Sequence, residues 1–102
     1  MARLYTRKDI DVALKELRIA PQNGMVSGSE AARILTWRAK DEYDVEHTYD
    51  ANSIRLHVRQ GHFPLGSIEK PNKRNSLYKV EDVFRLPIHP NRGPRKPVSE
   101  AS

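Results

Sequence analysis

Residues 53–60, SIRLHVRQ, decide the fold because their pattern is compatible with two different structures. Ile54, Leu56 and Val58 alternate with polar side chains, which is the period of a β-strand. The tripeptide Asp-Ala-Asn that precedes them could turn such a strand back onto 43–49, where Tyr, Val, His and Tyr alternate with polar residues in the same way. Local periodicity therefore favours a β-ribbon.

The same stretch also carries the signals of a helix. Asp50 or Asn52 can cap a helix at its N-terminus, and Gly61 stands where a helix commonly stops. Ile54 and Val58 are four residues apart and would share one helical face. Periodicity alone leaves helix and strand open.

The residues that follow predict a hairpin shaped like a wing. Two short apolar segments, HFPLGSI (62–68) and LYKV (77–80), flank the polar and basic loop EKPNKRNS (69–76). The next segment, EDVFRL (81–86), indicates a short helix or turn that ends before Pro87.

The residues that precede 53–60 predict two helices. Thr6 and Asp9 have the spacing of a capping box for a helix over 6–19, with Pro21 as its stop and a turn at Asn23-Gly24. One face of that helix is apolar and is expected to pack in the core: Ile10, Ala13, Leu14 and Leu17.

A second capping box, formed by Ser27 and Glu30, starts the next predicted helix. Its inner side carries small and aliphatic residues that suit a close helix crossing, and its end beyond Thr36-Trp37 is left open. That inner side consists of Ala31, Ala32, Ile34 and Leu35.

Composition bounds the class of protein. A chain of 102 residues with 37% apolar and 30% charged residues predicts one small globular domain. The absence of cysteine excludes disulfides, thiolate zinc sites and a thiol nucleophile. No apolar run approaches the roughly 18 residues of a membrane span, and the charged N-terminus differs from a secretion signal, so we expect a cytoplasmic protein without a membrane partner.

The net charge of +5 is unevenly distributed along the chain. Residues 51–80 hold six basic groups and one acidic group, whereas 36–50 hold two basic and five acidic groups. One basic segment beside an acidic one predicts a surface that binds a polyanion.

Three segments in order resemble the excisionase-type, MerR-like winged helix-turn-helix DNA-binding family: VSGSEAARIL (26–35), SIRLHVRQGHFP (53–64) and NSLYKVEDV (75–83). In that family a helix with Glu-Ala-Ala precedes a recognition helix that ends at a glycine, followed by a wing and a short helix. The resemblance thus implies a helix over 53–60. Because 36–52 is longer than the family's turn, either the first helix is extended or an acidic excursion is inserted in the turn.

Together these patterns predict an α+β, mainly α fold. Residues 25–86 are expected to form the winged helix-turn-helix, and 1–24 to supply an additional N-terminal helix that packs on the core. The proline-rich, basic segment 87–102 is predicted to be a disordered tail whose cations Arg92, Arg95 and Lys96 add nonspecific attraction.

Recognition of a duplex requires cations for phosphates and forked or amide donors for base edges. The recognition element supplies Asn52, Ser53, Arg55, Arg59 and Gln60, and the wing supplies Lys70, Lys73, Arg74, Asn75 and Lys79. The sequence contains no motif with the residue spacing of a known catalytic site. The histidines at 47, 57, 62 and 89 match no metal-ligand motif, and no glycine-rich phosphate loop is present. We therefore expect a non-enzyme without cofactor, metal or small-molecule substrate.

The predicted function is binding of double-stranded DNA, as a transcriptional regulator or a recombination or architectural factor of small phage or plasmid type, associated with the nucleoid. The free protein is expected to be a monomer that binds DNA as adjacent copies, with the acidic segment 41–50 of one copy meeting the basic segment of the next. Two alternatives stay open. One is a protein-interaction adaptor that docks through 41–50, and the other is a small, terminase-like DNA-packaging subunit.

Overall fold

The structure, a computed structural model, describes residues 4–64, 66–70 and 76–88. Within these residues the chain forms four helices and three strands and is about half helical, which confirms the α+β class. In chain order the elements are α1 (Arg7–Leu17), β1 (Met25–Ser27), α2 (Gly28–Tyr43), α3 (Ala51–Arg59), β2 (Ile68–Glu69), β3 (Leu77–Lys79) and α4 (Val80–Val83).

Helix α1 begins at the predicted capping box. The Thr6 hydroxyl accepts a hydrogen bond from the Asp9 amide (3.1 Å), and the Asp9 carboxylate accepts one from the Thr6 amide (3.0 Å). The helix ends at Leu17 because Arg18 adopts a left-handed conformation with φ 58°, so the prediction that Pro21 is the stop was wrong. The predicted apolar face turns inward, with Ile10, Ala13 and Leu14 buried and Leu17 partly buried.

The turn at Asn23-Gly24 is confirmed. Both residues have positive φ, 54° and 75°, and the backbones of Gln22 and Met25 exchange two hydrogen bonds of 3.0 Å around them. Strand β1 follows directly and was not predicted, because three residues are too short to show an alternating pattern.

Helix α2 also begins at its predicted capping box, in which Ser27 and Glu30 exchange hydrogen bonds of 3.2 and 3.0 Å. It continues to Tyr43 and ends where Asp44 turns left-handed, and the seven residues 44–50 then run without regular structure. The helix is thus extended and its connection to α3 is also long, while the strand that periodicity favoured over 43–49 was wrong.

Residues 51–59 are helical, so the β-ribbon alternative was wrong as well. The Asp50 carboxylate caps the helix by accepting a hydrogen bond from the Ser53 amide (3.1 Å). Burial explains the outcome: Ile54 is fully buried, whereas Leu56 and Val58, which a strand would place on the same face, are 51% and 37% exposed. The helix buries Ile54 against α2 and leaves its other aliphatic residues outside.

The strands of the described chain form one antiparallel sheet in the order β1-β3-β2. Tyr78 on the central strand pairs with Val26 of β1 and Ile68 of β2. The β2–β3 hairpin confirms the predicted pair of strands, and its tip, 71–75, lies outside the described residues.

The short helix or turn predicted over 81–86 is confirmed, because α4 ends at Val83 and turn and bend residues follow at 84–86. The predicted start of the tail is different. Ile88 is 3% exposed and belongs to the core, so the predicted tail cannot begin at 87. Residues 89–102, including the three tail cations, lie outside the described residues.

An ion pair is buried beside the apolar core. Arg38 Nε lies 2.6 Å from Glu42 Oε2, and the two side chains are 1% and 0% exposed. Arg38 also donates to the Val83 carbonyl (2.9 Å), and the Tyr5 hydroxyl donates to Glu42 (2.9 Å). The pair therefore joins α2 to α4 and to the segment before α1.

Among the residues that the structure describes, no helix combines the length and the apolar character needed to cross a bilayer.

Candidate nucleic-acid interface

The outer face of α3 carries three of the predicted DNA-binding residues. Asn52, Arg55 and Arg59 are exposed and lie within an arc of roughly 60° on a helix of 3.6 residues per turn. The Asn52 amide oxygen accepts a hydrogen bond from Arg55 Nη1 (3.0 Å). Since Ile54 anchors the opposite side in the core, these polar groups are held on a face that points to solvent.

A groove of about 400 Å³ separates α3 from the β2–β3 hairpin. Cations from both elements border it, because Arg55 and Arg59 come from the helix and Lys70 follows β2. The remaining walls are formed by Val58, Ile68, Ser76 and Tyr78. The fold thus brings together basic residues that are up to fifteen positions apart in the sequence.

The other two candidates of this segment lie at the two ends of α3. Gln60 forms the exposed C-cap of the helix, one turn beyond Leu56. Ser53 is half-buried, and its hydroxyl lies 3.4 Å from Asp50 Oδ1 as part of the N-terminal cap. Ser53 therefore contributes to the start of the helix rather than to its outer face.

The remaining wing candidates do not join this group in the described structure. Lys79 is exposed but borders a different groove, of about 340 Å³, with α1 residues that include Arg7 and Asp11. It neighbours Tyr78 on β3, and adjacent side chains of a strand point to opposite faces. Lys73, Arg74 and Asn75 lie outside the described residues.

Two histidines meet at the end of α3, which the sequence did not indicate. The Nδ1 atoms of His57 and His62 are 2.8 Å apart, and the His62 amide donates to the His57 carbonyl (3.0 Å). Burial lowers the pKa of His57, and the positive charges of His62 and Arg38 lower it further.

In the described residues, no group of three or more acidic or histidine side chains is placed to hold a metal ion.

Most carboxylates of 41–50, a range that the structure describes throughout, have partners within the molecule. Asp41 and Glu42 both accept from the Tyr5 hydroxyl (2.9 Å each). Burial of that hydroxyl, together with these two hydrogen bonds, raises the pKa of Tyr5. Lys40 forms an ion pair with Asp44 (2.9 Å), and Asp50 caps α3. These partners within the molecule occupy carboxylate oxygens that 41–50 could otherwise offer to another molecule.

No protein-family model, curated protein or solved structure matches this chain.

Proposed function

We propose that this protein binds double-stranded DNA as a winged helix-turn-helix domain, with α3 as the helix that enters the major groove. The observation that carries the proposal is the exposed face of α3, on which Asn52, Arg55 and Arg59 stand together. Helix α2 packs across α3 from the inside, which leaves that face free to approach a ligand.

The side chains on this face match the chemistry of base edges and phosphates. In the major groove, arginine forms two hydrogen bonds with the O6 and N7 atoms of guanine. Asparagine forms two hydrogen bonds with the N6 and N7 atoms of adenine. That groove is about 12 Å wide and admits an α-helix. Arg55 and Asn52 are thus assigned to base edges.

Phosphate contacts are assigned to the two sides of the groove between helix and hairpin. Arg59 at the end of α3 and Lys70 after β2 both border it. Contacts of this kind position a protein on the duplex and make its affinity depend on salt. The hairpin then acts as a wing on the neighbouring backbone.

The order α2, α3, hairpin and α4 is the order implied by the resemblance to the excisionase-type, MerR-like family. We include membership of that family in the proposal, with a role in transcriptional regulation or in recombination or DNA architecture of small phage or plasmid type. DNA binding has more support than the adaptor alternative, because carboxylates of 41–50 are engaged by Tyr5, Lys40 and the α3 cap.

The test measures binding of the full chain to labelled duplexes by fluorescence anisotropy. A pool of random duplexes at low salt tests general binding, and selection from that pool yields a preferred sequence. Arg55→Ala is expected to weaken binding to the preferred duplex by about 1–3 kcal/mol and to change binding to the random pool much less. Lys8→Ala removes an equal charge from the exposed surface of α1 and serves as the matched control.

A second variant tests the wing. Lys70→Ala is expected to weaken binding about equally on all sequences and to reduce the slope of log affinity against log salt by about one. The proposal fails if the wild-type chain binds no duplex at low salt, or if Arg55→Ala behaves like Lys8→Ala on the preferred duplex.

A further inference from the structure

Leu56 is an aliphatic residue in the middle of the polar outer face of α3. Its side chain is 51% exposed. It lies one turn after Asn52 and one turn before Gln60, so that an amide, an isobutyl group and a second amide follow one another along a single ridge of the helix. Arg59 lies beside it, about 60° around the helix.

Leu56 does little for the packing of the domain. The burial of α3 is centred on Ile54, which is fully enclosed, and Leu56 points away from it. Val58 differs in that it borders the groove toward the hairpin. A half-exposed leucine between hydrogen-bonding side chains is therefore available to a ligand that offers both polar and apolar groups.

The major-groove edges of the four base pairs carry one prominent apolar group, the 5-methyl group of thymine. We propose that Leu56 contacts a thymine methyl group and that this contact makes it a specificity-determining residue of α3. This inference rests on the proposed function, and it deepens it by stating a property of the DNA: the preferred site contains a thymine between the bases that Asn52 and Gln60 face.

Helix geometry limits where that thymine lies. Residues four apart on a helix are separated by about 6 Å along its axis, and base pairs rise about 3.4 Å each. The thymine read by Leu56 is therefore about two base steps from the base read by Asn52, an adenine if the asparagine makes its bidentate contact. The expected core of the site is rich in A·T pairs.

The experiment replaces thymine by uracil, which removes the methyl group and keeps every hydrogen-bonding atom of the base edge. The probe is the duplex recovered by selection from random sequence, and each thymine is replaced in turn. At one position, uracil is expected to weaken binding of the wild-type chain about threefold to fivefold, the loss typical of one buried methyl group. Leu56→Ala is expected to bind the thymine and uracil duplexes equally well.

Two variants control for the fold and for apolar surface in general. Val58→Ala removes a partly exposed aliphatic side chain from the same helix and should keep the uracil effect. Leu56→Met retains an apolar side chain of similar volume and should also keep it. Circular dichroism of each variant confirms that α3 is intact.

The possible failures are distinguishable. If wild-type chain binds its selected duplex but uracil has no effect at any position, or if Leu56→Ala keeps the uracil effect, the role of Leu56 is overturned while DNA binding stands. If selection recovers no preferred sequence, the specificity role is overturned in the same way. If wild-type chain binds no duplex at all, the proposed function fails, and this inference with it.

Discussion

Arg38 and Glu42 show how one buried pair of residues can control stability. The pair is enclosed, and Glu42 Oε1 has no hydrogen-bond partner in the described structure. Arg38→Met removes the cation and leaves a buried carboxylate without its counter-charge, which is expected to lower the free energy of unfolding by about 3–5 kcal/mol. Urea denaturation followed by circular dichroism measures this change.

The double variant Arg38→Met/Glu42→Gln provides the control. It removes both charges and keeps an oxygen for the Tyr5 hydroxyl, so part of the lost stability should return. Equal stabilities of the single and double variants would contradict a dominant role for the unpaired charge.

His57 makes stability depend on pH. Its pKa in the folded protein is lowered from 6.5 by burial and by the charges of His62 and Arg38, so the unfolded chain binds a proton more readily than the folded one. The free energy of unfolding is therefore fully retained above about pH 6.5 and decreases as the pH falls toward the lowered pKa.

Urea denaturation at several pH values between 7.5 and 5.5 tests this prediction. His57→Gln should show a smaller loss of stability over that interval than the wild-type chain. His47→Gln, which changes a histidine that packs on Tyr49, is the matched control. An identical pH profile for the wild-type chain and His57→Gln would contradict the prediction that His57 causes the loss of stability at lower pH.

Helix α3 is expected to depend strongly on its N-terminal cap. The helix has nine residues, a length at which isolated helices are unstable in water. Asp50→Ala removes the side-chain acceptor of the Ser53 amide and is expected to lower the free energy of unfolding by about 0.5–2 kcal/mol. In this variant, amide hydrogen exchange should become faster than in the wild-type chain, and the increase should be larger in α3 than in α2.

Asp50→Ser tests whether the cap itself is responsible, because serine can also accept the Ser53 amide at this position. It should restore most of the protection of α3. If Asp50→Ala leaves exchange in α3 unchanged, the cap is not what maintains the helix.

The core of the domain uses the apolar surface that a dimer would need. Ile10, Ala13 and Leu14 of α1 are buried within one chain, which leaves that apolar stripe unavailable to a second copy. We expect a monomer in free solution, and sedimentation at micromolar concentration checks this. A stable dimer would contradict it.

Binding to DNA is expected to be cooperative between adjacent copies. A single module buries only about 600–1,000 Å² of protein surface on DNA, which is small for high affinity at physiological salt. Titration of duplexes with one and with two selected sites measures the coupling, and independent filling of two sites would contradict it. Because Tyr5 and Lys40 already engage carboxylates of 41–50, a contact between that segment and the next copy is less favourable than the sequence suggested.

Several local features could be read directly from the sequence. The capping boxes at Thr6 and Ser27, the Asn23-Gly24 turn and the β2–β3 hairpin all appear where they were expected. In the caps and the turn, the decisive hydrogen bonds join residues no more than three positions apart, so the chemistry that forms them is visible in a short window of sequence. Asn52, Arg55 and Arg59 could be identified as candidates from their side-chain chemistry and position alone.

Other features depended on contacts between distant parts of the chain. Burial of Ile54 against α2 made 51–59 a helix although its alternation suggested a strand. The position of the hairpin across the groove from α3 placed Lys70 on the same groove as Arg59 and left Lys79 on another. A residue's type and its local period do not show which face a distant element will cover, and that covering determined both the helix and the grouping of its cations.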